Sequence, residues 1–338
     1  MKKTLLIAMA LLCVVACKPK DRKTYLPNVS GKAGEVVVVL NKAGWDGTLG
    51  EAVRQTLAAD CPFLPTREPL YSLINVSPSN FESSSMFKVH RNLLLFNVNP
   101  QNGKEGVEFL QDAWADPQCV IRVNSTTVEQ ALEQFEAQKG KILSALEMAE
   151  RDRVIRNTRK YEQRDIFPKV AEVFGGSPHF PAGYVLRKIT DDFAWVQYEM
   201  KGSNILGILI YRYPAELSAD EFTLENIIAR RNEIMKANVP GMLDGSYMTT
   251  AGPEDFPAYV EYVKYKGREF AQTRGMWEVE GDFMGGPFVS ESFYSKDGKQ
   301  VIVTEGFIYR PSKDKRLYLR QVESVLYSWE WSEKEIEK

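Results

Sequence analysis

Residues 184–213 read YVLRKITDDFAWVQYEMKGSNILGILIYRY and contain three runs that are rich in β-branched and aromatic residues. These runs, at 184–189, 193–200 and 205–213, have the composition of β-strands. Short polar segments separate them, the first being Asp191-Asp192. Because strands joined by such short connections pair as antiparallel neighbours, this stretch predicts an antiparallel sheet.

The same pattern continues towards the C-terminus. Lys266-Gly267 and Asp297-Gly298 are typical hairpin turns. One helix is predicted after a capping box formed by Ser218 and Glu221, and a second at 318–329. Four further strands are predicted, at 258–265, 269–279, 289–294 and 300–309. We therefore expect an α+β domain with a largely antiparallel sheet packed with helices at 183–331, and a charged tail at 332–338.

The N-terminal half predicts a smaller, mixed α/β region at 34–161. Its main element is a long helix that ends near Tyr161, with Ser125 or Thr126 as the N-cap. The other predicted elements are strands at 36–40, 87–98 and 119–123 and a helix through Leu57 with a Thr48–Glu51 capping box. Glycines and prolines follow the long helix, so we interpret 162–182 as a linker.

The first residues have the layout of a lipoprotein signal. Lys2 and Lys3 precede an apolar run that ends in Val14-Val15-Ala16-Cys17. The run is shorter than the roughly 20 residues that a membrane-spanning helix needs. We expect cleavage of the signal 1–16, lipid on Cys17 and a tether at 17–33; ordinary secretion after Ala16 or an uncleaved anchor are the alternatives.

Cys61 and Cys119 would remain beside the lipidated cysteine. In an oxidising envelope compartment they can form a disulfide. Such a bridge would stabilise the fold by about 4 kcal/mol in the chain-entropy model. The alternative is two buried thiols.

Composition and motifs exclude several classes of protein. The chain of 338 residues has 43 basic and 45 acidic residues, so nothing suggests a nucleic-acid partner. His90 and His179 are the two histidines, and neither belongs to a zinc motif. The sequence has no serine-hydrolase elbow and no phosphate-binding loop. We therefore expect no catalytic residue, metal or cofactor.

The segment 274–287, RGMWEVEGDFMGGP, is the most unusual stretch after the signal. It predicts a ligand loop in which Trp277 or Phe283 stacks on a ligand, while Arg274 and Asp282 supply polar contacts. The alternative is a glycine-rich connection between long strands whose aromatic residues enter the core. Strand alternation favours the alternative, since Arg274 and Trp277 point to opposite faces unless Gly275 marks a bulge.

Paired carboxylates keep one enzymatic interpretation open. Glycoside hydrolysis needs two carboxylates about 5 to 10 Å apart. Candidate groups are Asp191 with Asp192, Glu254 with Asp255, and Glu278 with Glu280 and Asp282. With 45 acidic residues in the chain, chance adjacency is expected, so a solvated turn or strand edge is the favoured interpretation of each group.

Three further stretches carry a family resemblance: GEVVVVL at 34–40, MGGPFVS at 284–290 and EGFIYRPSKDKR at 305–316. With the lipoprotein signal, they resemble an uncharacterised domain-of-unknown-function family of Bacteroidetes lipoproteins. The resemblance implies a cell-envelope lipoprotein and carries no known activity. Surface-exposed members often have acidic residues after the lipidated cysteine, whereas this chain has Lys18-Pro19-Lys20. This favours the outer membrane, facing the periplasm.

Two functions follow as hypotheses. The first is a non-enzymatic envelope protein, held to a membrane by lipid on Cys17, that binds a protein or glycan partner. The second is an envelope hydrolase that cleaves a glycan through paired carboxylates.

Overall fold

The structure is a computed structural model that describes residues 25–202, 204–252, 254 and 256–333. Cys17 and the signal segment lie outside this range, as does the charged tail apart from Ser332 and Glu333. Among the described helices, none combines the length and the apolar composition needed to cross a membrane.

The N-terminal half is built on a five-stranded sheet with the order β2-β1-β3-β5-β4. Strands β1, β2, β3 and β5 run parallel, and β4 pairs antiparallel to β5 at the edge. The strands are β1 (Glu35–Val39), β2 (Ser72–Val76), β3 (Asn92–Val98), β4 (Gly106–Gln111) and β5 (Cys119–Ser125). The helices are α1 (Lys42–Asp46), α2 (Thr48–Leu57), α3 (Pro78–Ser83), α4 (Ser85–Lys88) and α5 (Val128–Lys160).

Helices cover both faces of this sheet, as parallel strands require. On one face, Val53 of α2 and Phe135 of α5 join the same core cluster as Val36 and Val38. On the other face, Phe81 of α3 packs with Val37 and Leu93. The alternate valines of β1 therefore point into two different cores, which explains why that strand is apolar throughout.

The C-terminal half contains an eight-stranded antiparallel sheet. Its main path is β10-β12-β13-β14-β9-β8-β7, and β11 also pairs with β12. The strands are β7 (Val185–Ile189), β8 (Phe193–Met200), β9 (Asn204–Pro214), β10 (Tyr247–Thr250), β11 (Tyr259–Tyr265), β12 (Arg268–Glu280), β13 (Gly285–Tyr294) and β14 (Gln300–Tyr309). Helices α6 (Ile166–Phe174), α7 (Leu224–Asn238) and α8 (Arg316–Tyr327) accompany it, and β6 (Gly176–Ser177) pairs with β15 (Glu330–Trp331).

The two faces of the large sheet carry separate cores. Val322 of α8 and Val170 of α6 pack with Ile208 on one face. Met235 of α7 packs with Trp277 on the other. This arrangement confirms the predicted fold class: an α+β protein with a large antiparallel sheet in the C-terminal part, a mixed sheet with helices in the N-terminal part, and a long helix between them.

Helix α5 joins the halves because it packs on the N-terminal sheet and also contacts α8. The hydroxyl of Tyr71 donates to Glu147 of α5 at 2.7 Å, and Nε of Arg320 on α8 donates to the same carboxylate at 3.2 Å. Farther along, Nη2 of Arg151 on α5 lies 3.5 Å from Glu323 of α8. Buried and half-buried ion pairs thus hold the two halves together.

Several local predictions differ from the structure. Helix α2 begins at Thr48 after Gly47 and has no side-chain cap, so the Thr48–Glu51 box is not formed. Thr127 caps α5, in place of Ser125 or Thr126. Thr223 caps α7, so the predicted Ser218–Glu221 capping box is not formed. The Glu221 carboxylate instead accepts from two backbone N–H groups in the preceding loop. The segment interpreted as a linker, 162–182, contains α6 and β6.

Candidate functional site

A cleft of about 660 Å³ lies at one end of the large sheet, where the C-terminal end of α5 meets it. Four separate parts of the chain form it: α5, the β11–β12 hairpin, the end of β13 with its following turn, and the segment that links α8 to β15. We call it the aromatic cleft. Its lining residues are Ile155, Arg159, Tyr265, Lys266, Gly267, Arg268, Glu269, Phe293, Tyr294, Lys296, Tyr327, Ser328, Trp329, Glu330 and Trp331.

The β11–β12 hairpin turns at Lys266 and Gly267, as the sequence predicts. Both residues have positive φ, 47° and 84°, as a two-residue turn of the primed type requires. The turn pairs Tyr265 with Arg268, and both residues line the cleft. Glycine is favoured at the second turn position because it adopts this left-handed backbone without steric cost.

Three aromatic rings form one wall of the cleft. Phe293 contacts Trp329 with ring centroids 5.2 Å apart, and Trp329 contacts Trp331 at 5.5 Å, in both cases edge to face. Phe293 and Trp329 are buried, whereas Trp331 is half-buried. Edge-to-face packing of this kind stabilises an aromatic cluster beyond the burial of its area. The two inner rings therefore hold Trp331 in place, with part of its surface open.

Gly176 allows the chain at Trp329, Glu330 and Trp331 to pack closely against β6. It pairs with Trp331 in the short β6–β15 ladder. A Cβ at position 176 would lie 2.6 Å from the Glu330 carbonyl oxygen and 2.8 Å from the Trp329 ring. Glycine is therefore required for close approach at this position, although the sequence pattern indicates only a chain break there.

Arg268 brings a buried cation to the cleft. Its Nη2 lies 2.7 Å from Oε2 of Glu291, and its guanidinium lies 4.8 Å from the centroid of the Phe293 ring. Burial raises the pKa of the Glu291 carboxyl, which the nearby Arg268 partly offsets. Within the described part of the chain, Nη1 of Arg268 has no hydrogen-bond partner although it is buried. A buried donor without a partner loses its hydration uncompensated, which makes Arg268 an energetically costly residue at this wall.

The rim of the cleft is charged. Nζ of Lys266 lies 3.2 Å from Asp152 of α5. Lys296 is exposed, and its ammonium lies 5.9 Å from the centroid of the Trp331 ring. Among the described residues, no carboxylate forms an ion pair with Lys296. The rim therefore offers at least one cation that a ligand could approach.

His179 positions the carboxylate of Glu330, which also lies at the rim. Its ring is buried, stacks on Phe167 with centroids 4.6 Å apart, and contacts Glu162 through Nδ1. Its Nε2 lies 2.8 Å from Oε2 of Glu330, and Arg159 donates to the same oxygen at 2.6 Å. His179 thus fixes the position of Glu330, a residue of the cleft rim.

The carboxylates of the cleft are ion-paired. Burial raises the pKa of Glu330, but hydrogen bonds from Arg159 and His179 outweigh this effect and bring the pKa below its ordinary value. The hydrogen bond from Lys264 lowers the pKa of Glu269. A glycosidase needs one carboxyl group with a raised pKa as its general acid. The two carboxylates in this cleft have the opposite property.

The four residues that the sequence suggests as a ligand site do not come together. Trp277 is 2% exposed, and its Nε1 donates to the Ile308 carbonyl at 3.2 Å inside the α7-side core. Arg274 lies on the opposite face, where it donates to Glu323 at 2.6 Å. Asp282 and the fully exposed Phe283 lie in the turn between β12 and β13. The ladder pairs β12 with β13 without a bulge at Gly275, so strand alternation separates Arg274 from Trp277.

The carboxylate groups considered for hydrolysis lie outside the cleft. Glu278 and Glu280 are exposed near the end of β12, and Asp282 is half-buried in the following turn. Asp191 and Asp192 are exposed in the β7–β8 turn. None of these five residues lines the aromatic cleft.

Both described cysteines are free thiols, so the bridge between Cys61 and Cys119 is not formed. Sγ of Cys119 points towards the Ala145 carbonyl, 3.9 Å away on α5. Cys61 precedes β2, and burial raises its pKa to about 11. Cys17 lies outside the described residues, so its lipidation stays a prediction.

Sequence patterns indicated parts of this cleft without assembling them. The Lys266-Gly267 turn was predicted as a hairpin, and a helix was predicted at 318–329, which ends at Trp329. What joins them is the packing of α5 against the end of the sheet, which no local pattern encodes. The available sequence signal for the cleft was the charged Lys266-Gly267 turn, which lies next to strand ends that carry aromatic residues.

Two family models match this chain. No curated protein matches it. Residues 29–159 match the model described as Domain of unknown function (DUF8532). Residues 163–328 match the model described as Domain of unknown function (DUF4837). The cleft contains residues from both matched segments, together with Trp329, Glu330 and Trp331, which follow the second segment. The chain is therefore similar to two uncharacterised families.

Proposed function

We propose that this protein is a lipid-anchored, non-enzymatic binding module of the cell envelope, and that its ligand occupies the aromatic cleft. The lysines, apolar run and Ala16-Cys17 junction at the N-terminus support the anchor. Several acyl chains on one cysteine give stable membrane attachment, whereas one chain gives marginal binding. Lys18-Pro19-Lys20 favours the periplasmic side of the outer membrane.

The aromatic cleft is the observation that carries the proposal. Its volume of about 660 Å³ is within the range of roughly 300–1,000 Å³ that is typical of small-molecule sites. Its wall is preformed, because Phe293 and Trp329 are buried and hold Trp331. A preformed wall lowers the entropic cost of binding.

Binding is favoured over hydrolysis by the state of the carboxylates. Glu330 is held by Arg159 and His179, and Glu269 by Lys264. Both pKa values lie below the ordinary range of a glutamate, so neither group is suited to donate a proton near neutral pH. The same two groups are suited to accept hydrogen bonds.

Cell fractionation tests the anchor. We expect the Cys17→Ser variant to be absent from the membrane fraction and to lack the mass of the acyl chains. Cys13→Ser is the matched control, because Cys13 should be removed with the signal and its replacement should change neither. Membrane association of Cys17→Ser at unchanged mass would contradict lipidation.

In-cell photo-crosslinking tests the cleft. A benzophenone amino acid replaces Glu269 at the rim, or Lys139, which is an exposed residue of α5 outside the cleft. We expect a light-dependent adduct from position 269 that Trp331→Ala reduces, and none above background from position 139. Equal adduct yields at the two positions would refute a ligand in the cleft.

A further inference from the structure

The charge of the cleft is opposite to that of the protein. The whole chain has a formal net charge of −2. The cleft is lined by four basic residues, Arg159, Lys266, Arg268 and Lys296, against two carboxylates, Glu269 and Glu330. Arg159 pairs with Glu330, Lys266 with Asp152 and Arg268 with Glu291, whereas Lys296 has no ion-pair partner among the described residues. An excess of basic groups along a concave surface attracts ligands of the opposite sign. The cleft is therefore suited to an anion.

Each of two half-buried rings has an ammonium group beside it. Nζ of Lys266 lies 4.9 Å from the centroid of the Tyr265 ring. Nζ of Lys296 lies 5.9 Å from the centroid of the Trp331 ring. Each ammonium lies over its ring, so a ligand that approaches either ring meets a cation there. This pairing fits a molecule that combines an apolar face with a negative group.

The angles between the rings favour a ligand that uses one ring face at a time. Trp331 meets Trp329 at 84°, and Tyr265 meets Tyr327 at 85°. These pairs leave no parallel slot in which a flat base could be sandwiched. A sugar ring needs no such slot, because it packs its C–H face on a single aromatic ring and directs its hydroxyls sideways.

The rim also offers partners for hydroxyl groups. Glu269 and Glu330 accept hydrogen bonds, and Arg159 and Lys266 donate them. A simple anion would use the donors alone, and the carboxylates would repel it. A ligand with many hydroxyls can use both kinds of partner. The mixed rim therefore favours a saccharide over a free inorganic anion.

We propose that the aromatic cleft binds an acidic glycan, with a sugar face on Trp331 and its acidic group near Lys296 and Lys266. This inference rests on the proposed function, because it assigns a ligand class to the same cleft. Arg268 lies deeper and is paired with Glu291, and Lys266 lies 3.2 Å from Asp152. Lys296 is exposed and has no ion-pair partner among the described residues, so we assign the first contact with the acidic group to Lys296 and a second contact to the exposed Lys266.

A glycan array probed with the full chain in detergent tests the proposal. The array carries carboxylated, sulfated and phosphorylated saccharides beside their neutral counterparts, together with acidic peptides and nucleotides. We expect binding to acidic saccharides, weaker binding to the neutral counterparts, and weakening of binding by added salt. Comparable binding to neutral saccharides, preference for peptides or nucleotides, or no bound saccharide would overturn the proposal.

Titration of the strongest acidic binder locates the site. The double variant Lys266→Gln with Lys296→Gln changes exposed side chains, so it should fold. We expect it to bind at least about tenfold more weakly, because two contacts with charged groups are lost. Lys139→Gln is the matched control and should bind normally. Unchanged affinity of the double variant would overturn the assigned site.

The outcomes separate this inference from the proposed function. A light-dependent adduct at position 269 in cells, with no acidic saccharide bound on the array, would leave the cleft as a ligand site and remove the acidic glycan. Absence of both the adduct and the array signal would remove both.

Discussion

The carboxylate of Glu68 accepts a hydrogen bond from the backbone N–H of Arg316 at 2.9 Å, and a second from the N–H of Lys315 at 2.7 Å. Glu68 belongs to the N-terminal half, whereas Arg316 begins α8 of the C-terminal half. Helix α8 has no side-chain cap of its own. The N-terminal half therefore supplies the negative group that the start of this helix requires.

Removal of this cap should destabilise the protein. We expect Glu68→Ala to lower the free energy of unfolding by about 1–2 kcal/mol, because two buried N–H groups lose their partner. Chemical denaturation monitored by tryptophan fluorescence measures the change. Glu82→Ala, which removes an exposed ion pair with Lys88, should cost less than about 0.5 kcal/mol. Equal effects of the two variants would contradict the capping role.

Arg231 of α7 and Glu305 of β14 form a bidentate ion pair in which neither side chain reaches solvent. We expect Arg231→Met to cost roughly 3–5 kcal/mol, because Glu305 would keep its charge without a partner in the core. Replacement of both residues, by Met and Leu, should cost clearly less than the single change. Denaturation of the natural protein, of Arg231→Met, of Glu305→Leu and of the double variant gives the comparison, and additive losses would show that the pair is not coupled.

Gly286, in the unusual segment 274–287, is needed for the close approach of two backbones. A Cβ at this position would lie 2.0 Å from the Ile308 carbonyl oxygen and 3.2 Å from the Trp277 indole nitrogen. We expect Gly286→Ala to lower the free energy of unfolding by about 2 kcal/mol or more, because two backbones must separate. Gly140 of α5 has open space around it, so Gly140→Ala should stabilise the helix by roughly 0.5–1 kcal/mol. Thermal denaturation distinguishes the two signs.

Glu323 should make the contact between the halves sensitive to acid. Burial raises the pKa of Glu323, but Arg274 and Arg151 outweigh this and hold the pKa below its ordinary value. A lowered folded-state pKa contributes stability above the unfolded pKa of about 4.3, and this contribution is lost as the pH falls through the folded-state value.

Denaturation between pH 7 and pH 2.5 tests this dependence. We expect Glu323→Gln to be less stable than the natural protein near pH 7, and the difference to shrink below about pH 4. Glu51→Gln is the control, since the Glu51 side chain is exposed. A difference that is constant across this range would contradict the assignment.

The fold was predictable where strands are rich in β-branched and aromatic residues. Strands β8 and β14 have the predicted bounds, at 193–200 and 300–309. Strand β2 was missed, because it lies at a sheet edge and its pattern is largely exposed. The Ser218–Glu221 motif was misread because the Glu221 carboxylate binds backbone N–H groups and the Tyr294 hydroxyl in place of a helix end.

The candidate site was less predictable than the fold. Trp277 looked like a ligand platform because glycines surround it in the sequence, yet those glycines let strands approach its buried ring. The cleft depends on residues as far apart as Arg159 and Trp331, and their proximity comes from α5 packing against the large sheet. Sequence spacing contains no such information.

Hydrogen exchange tests directly whether the cleft is occupied where the protein acts. The full chain is compared in isolated envelopes and after purification in detergent. We predict slower exchange in envelopes at residues 265–269 and 327–331, which line opposite sides of the cleft. The turn at 281–284 should exchange equally in both. Equal exchange at the cleft, or slowing confined to 281–284, would contradict the account.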